Sequence, residues 1–118
     1  MLYTIFTVKD KDYKLRLTAK GIVDLEKKLG TNPINPILVV GQNGQLPSLD
    51  VMLTILQAAM ATYEHGITMD KMYDIYDDFV EDGNSLMDLV PVLIEVFKTA
   101  GFLPKDNEEA QEQANEKN

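Results

Sequence analysis

A chain of 118 residues that is 45% hydrophobic holds enough apolar material for one domain and too little length for two. With no cysteine and one histidine it has no disulfide framework and no cysteine-based metal site, and a zinc or iron centre is not expected. The net charge of −8 is unevenly spread: Met1 to Gly30 carries seven basic and four acidic residues, Thr62 to Asp88 one and eight, Lys105 to Asn118 two and five. A body this acidic repels nucleic-acid phosphates and anionic membrane, so neither is expected as a partner.

The opening MLYTIFTV has neither the basic start nor the apolar run of a signal peptide. No apolar run approaches the roughly 18 residues of a membrane span. A soluble, intracellular protein is the expectation. Leu2 to Val8 and Tyr13 to Thr18 alternate apolar with polar around the turn Lys9-Asp10-Lys11-Asp12 and predict a β-hairpin. Leu15 and Leu17 point to one side of it, Lys14 and Arg16 to the other, so its apolar face must lie on helices.

Thr18 is placed to cap a helix from Ala19 to Leu29, with Ile22, Leu25 and Leu29 inward and Gly30 as the stop. Thr31 to Pro47 holds three prolines and two glycines and reads as a long connection; Ile37 to Val40 within it forms a short strand or one helical turn that plugs the core. Ser48 caps the next helix, whose stripe is Leu49, Leu53, Leu56, Met60 and Tyr63, closing near His65-Gly66. Thr68 opens another, with Met69, Met72, Tyr73, Tyr76, Phe79 and Val80 opposite Asp70, Asp74, Asp77, Asp78 and Glu81.

Ser85 to Phe102 is apolar on most sides and is the helix around which the rest is expected to pack. Asn84 or Ser85 caps it, Gly101 ends it, and Pro91 kinks it or marks a restart. The fold expected is α+β and mainly α: one domain, residues 1–104, in which the hairpin packs on about four helices. Residues 105–118 hold no apolar side chain larger than alanine and are expected to be a disordered acidic tail.

No motif for chemistry survives its spacing. Asp77, Asp78, Glu81, Asp82 and Gly83 suggest a calcium loop, but with Gly83 sixth the third position is Val80 and the twelfth Leu89, where acids are required. Gly41-Gln42-Asn43-Gly44 has no lysine to form a phosphate cradle. His65 has no nearby nucleophile or ligand in the sequence and reads as the end of a helix. No enzyme activity, metal or cofactor is expected. Methionine and tyrosine at helical spacing fill cores, yet they also line adaptable binding grooves; Met52, Met69, Met72, Tyr73 and Tyr76 are the candidate partner-binding residues.

The order of parts, with KLRLTAKGIVDLEKKLG from Lys14 to Gly30 and DGNSLMDLVPVLIEVFKTAGFLP from Asp82 to Pro104, resembles the tail assembly chaperones of long-tailed bacteriophages. Its carriers are Leu17-Thr18, Leu25-Glu26, Leu29-Gly30 and the closing Lys98-Thr99-Ala100-Gly101-Phe102. The resemblance implies a non-enzymatic protein of the host cytoplasm, absent from the mature virion, that coats the helical tape-measure protein, self-associates and helps recruit tail-tube subunits. It also implies a longer form made by frameshifting, for which Glu116-Lys117-Asn118 would supply the slippery site if encoded GAA AAA AAC. The alternative is an acidic inhibitor or DNA mimic that binds a basic partner through Asp70, Asp74, Asp77, Asp78, Glu81 and Asp82.

Overall fold

In the computed structural model, which describes residues 2–103, strand β1 (Thr4–Val8) pairs antiparallel with β2 (Lys11–Leu15). Phe6 lies opposite Tyr13 and Ile5 opposite Lys14. The turn is shorter than the four residues expected. Lys9 and Asp10 alone make it, at positive φ of 50° and 64°, the mirror-image turn geometry whose twist matches that of the strands. β2 ends at Leu15; the next residue, Arg16, donates its N–H to the Ala59 carbonyl at 3.0 Å instead of to β1. The alternation itself continues: Phe6, Val8, Tyr13, Leu15 and Leu17 are buried, while Ile5, Thr7, Asp12 and Lys14 face solvent.

Helix α1 (Ala19–Leu29) starts where Thr18 Oγ1 accepts the Gly21 N–H at 3.1 Å and stops at left-handed Gly30, as expected. The following segment differs from expectation. Instead of a loop with a short strand or a single turn, it contains α2 (Asn35–Asn43). Pro36 stands in the first helical turn, where its missing N–H costs no hydrogen bond, and Ile34 and Ile37 are buried.

Ser48 Oγ accepts the Val51 N–H and opens α3 (Leu49–Ala61), which ends ahead of His65-Gly66. Met52, Leu53, Ile55, Leu56, Ala59 and Met60 are all buried, so this helix is enclosed nearly all round. It packs against α1, β2, α4 and α5. The centre of the molecule is therefore α3, with the Ser85–Phe102 segment beside it, and not that segment alone.

Thr68 caps α4 (Met69–Glu81), which turns Met72, Ile75 and Phe79 inward. Phe79 meets Phe6 at 5.3 Å between ring centroids and ties α4 to the hairpin. A 3-10 turn, Leu86–Asp88, precedes α5 (Leu89–Thr99), and the Asp88 carboxylate accepts the Ser85 N–H at 2.8 Å. Pro91 is thus third in α5, inside its first turn, and the helix restarts before it without a kink. At the far end Gly101, at φ 89°, lets the Phe102 N–H reach the Phe97 carbonyl at 2.9 Å and stacks the two rings at 5.4 Å.

The fold is thus α+β and mainly helical, a hairpin on five α-helices among the described residues where about four were expected. The expected acidic tail, residues 105–118, and the Glu116-Lys117-Asn118 tripeptide lie outside the described residues.

Candidate functional site

Of the five candidate binding residues, Met52 and Met72 are 0% exposed and belong to the core. Met69 and Tyr76 are half-buried against it, and Tyr73 is 46% exposed. The five do not converge on one surface, which corrects the groove expected from their spacing. On a 3.6-residue period Met72, Tyr76 and Phe79 share the inward side of α4, while Tyr73 shares the outer side with Asp77 and Val80.

The acidic side of α4 is partly used inside the molecule. Lys9 Nζ lies 3.2 Å from Glu81 and 3.7 Å from Asp82, and the Lys9 N–H donates to Asp82 Oδ2 at 2.8 Å. The hydrogen bond to Glu81 holds the Lys9 amine above its ordinary value, outweighing an opposing desolvation, with the charges of Glu81, Asp82 and Asp78 adding to it. Asp70, Asp74 and Asp77 remain exposed. Among the described residues no three carboxylate or imidazole groups are grouped to hold a metal ion, and no helix is long and apolar enough to cross a membrane.

Two grooves flank the core. The first, of about 520 Å³ between α1 and α3, is mixed in character and carries Lys20, Asp24, Lys28 and His65 beside Leu25 and Ala58. The small residues Gly21, Ala58 and Ala61 also line it. Two polar side chains along it serve the fold: Gln57 Nε2 donates to the Ile67 carbonyl at 2.9 Å and Thr62 Oγ1 to the Arg16 carbonyl at 2.7 Å.

The second groove, of about 240 Å³, lies between α2 and α5. Ile34, Ile37, Leu38 and Val40 form one wall, Val90, Ile94 and Phe97 the other, and Leu103 and Gly41 complete it. Leu38 is 43% exposed, so this apolar lining reaches the surface. α2 lies beside α5 with Ile37, and Ile34 just before its start, turned inward.

None of these residues was a candidate on spacing alone. The signal in the sequence was an absence of charge: from Thr31 to Leu49 there is no Lys, Arg, Asp or Glu, in a chain where a quarter of residues are charged. Charge depletion marks the centre of protein interfaces more reliably than hydrophobicity does.

Comparison with curated proteins and with solved structures finds no match to this chain. Residues 3–118 match the family described as a family of unknown function, DUF6096, and the chain belongs to that family.

Proposed function

We propose that the chain is a tail assembly chaperone of a long-tailed bacteriophage, which covers the apolar helical stripes of the tape-measure protein, keeps it soluble and helps recruit tail-tube subunits. The reading is supported by the order of parts that carries the resemblance: a hairpin, a capped helix, a proline-bearing segment, two amphipathic helices and a closing helix. One observation carries it furthest. A strongly acidic body, which keeps many copies in solution, bears an uncharged apolar surface along α2.

Under this reading the protein acts in the host cytoplasm without a cofactor, in many self-associating copies, and is absent from the finished virion. A longer, frameshifted form reaches the tube protein. The test is co-expression with a tape-measure protein of a long-tailed bacteriophage. The client stays in the soluble fraction with the chain and aggregates without it, and binding weakens little between about 0.05 M and 0.5 M salt, because apolar contact is not screened. Failure to solubilise the client at any ratio overturns the reading. Binding to a basic protein that collapses over the same salt range would instead establish the acidic mimic, whose carboxylate row already spends Glu81 and Asp82 on Lys9.

A further inference from the structure

We propose that copies of this chain join through α1 of one and α4 of the next, in an ionic contact that sets Lys20 and Lys27 of α1 against Asp70 and Asp77 of α4 and closes Val23 against Tyr73 between them. The contact deepens the self-association in the chaperone reading and rests on that reading for what it serves; the two faces stand without it.

The faces match in spacing and oppose in sign. Lys20, Val23 and Lys27 stand at i, i+3 and i+7 on α1, and Asp70, Tyr73 and Asp77 stand at i, i+3 and i+7 on α4. This spacing puts all three on one side of a helix, with the two charges about 10 Å apart along the axis. That side is the outer one in both helices. Leu25 of α1 and Met72, Ile75 and Phe79 of α4 are buried, the four charged residues are exposed, and Val23 and Tyr73 are each 46% exposed. When the rows meet, opposite charges pair at both ends and the two apolar side chains leave water in the middle.

Neither row is used within the molecule. Among the described residues no ion pair or hydrogen bond engages the side chains of Lys20, Lys27, Asp70 or Asp77, whereas Lys9, Lys11 and Lys98 each meet a carboxylate. α1 and α4 both pack on α3, and among the described residues no ion pair joins one to the other. The remaining charges of α1 do not cancel its row: Asp24 and Lys28 line the groove toward α3 together, and Glu26 lies off the outer side.

The net charge of −8 does not forbid the contact. At physiological ionic strength charges more than about 8 Å apart are largely screened, while charges facing each other across a contact are not. The contact is also heterologous. A copy bound through its α1 still presents α4, so assembly continues unless the ring closes.

The test exchanges the signs of the rows and reads association of the full chain by sedimentation velocity. Wild type should associate at about 0.15 M salt and come apart at about 0.6 M, its dissociation constant rising by roughly tenfold or more. Lys20→Glu/Lys27→Glu and Asp70→Lys/Asp77→Lys should each be monomeric at about 0.15 M, and an equimolar mixture of the two should associate, because the intact α4 of the first fits the intact α1 of the second. Bulk charge predicts the reverse for the aspartate variant: each exchange adds two charges, so the chain moves from −8 to −4 and would associate more readily. Both variants are checked for wild-type melting; if either unfolds, the single exchanges Lys27→Glu and Asp77→Lys carry the same comparison.

A wild type that is monomeric throughout, association that survives 0.6 M salt, loss in the aspartate variant alone, or a mixture that stays monomeric overturns the contact. A chain that does so and still solubilises the tape measure leaves the chaperone reading intact. Association that follows the exchange in a chain that leaves the tape measure insoluble keeps the contact and sinks the chaperone reading.

Discussion

Asp10 holds a φ of 64° in a two-residue hairpin turn, a conformation that crowds the Cβ of any L-residue and that glycine adopts freely. Asp10→Gly should therefore raise stability by about 0.5–1 kcal/mol, read as a higher denaturant midpoint at constant slope. Lys9 is not equivalent, since its side chain pairs with Glu81. At the other extreme, Leu93 is 0% exposed in α5. Leu93→Ala should cost about 2–5 kcal/mol, and Leu93→Asp, which buries an unpaired charge, should leave no cooperative thermal transition. Residues of this kind were legible from spacing alone, because a three-and-four period says which side of a helix faces inward. The same period cannot say how much of that side is covered. Met72 and Tyr73 are neighbours in sequence and both belong to the Met and Tyr series, yet one is core and the other half exposed.

Elements with a polar cap and a glycine stop were read correctly to the residue: Thr18 and Gly30 bound α1 as the sequence indicates. The hairpin alternation was equally plain, whereas the stripe expected of α4 held for Met72 and Phe79 but wrongly took in Tyr73 and Val80, which are exposed, and missed the buried Ile75. α2 was not plain, because its prolines and glycines are loop punctuation unless one knows that Pro36 falls in a first turn and Gly44 just past the end. Nothing local distinguishes that arrangement from a loop; contact with α5 decides it. The candidate groove was hidden for the same reason, since it exists only once α2 is a helix. Gly41 is the one glycine inside α2, and its backbone is helical with open space beside it. Gly41→Ala should stabilise the protein by about 0.5–1 kcal/mol, measured as a shift in Tm, through helix propensity alone. If Asn35–Asn43 were a loop, the substitution would bring no such helix-propensity gain.

At the scale of the molecule, the hairpin is held to the helices from both ends. The Arg16 N–H donates to the Ala59 carbonyl at 3.0 Å at one end, and Lys9 meets Glu81 and Asp82 at the other. The Lys9 amine has a folded-state pKa raised above 10.5, first by its hydrogen bond to Glu81. A raised cationic pKa means that the charged form is favoured by folding, so its contribution is complete below 10.5 and is lost as pH rises through the folded value. Lys9→Met removes the side-chain pair but keeps the backbone bond to Asp82. Because both partners are largely exposed, the loss should be only about 1–2 °C in Tm and should shrink with added salt. It should be constant through neutral pH, and the two curves should converge as pH rises above 10.5. A difference that instead changes between pH 6 and pH 8 would mean that Lys9 is not the group that fastens the turn to α4.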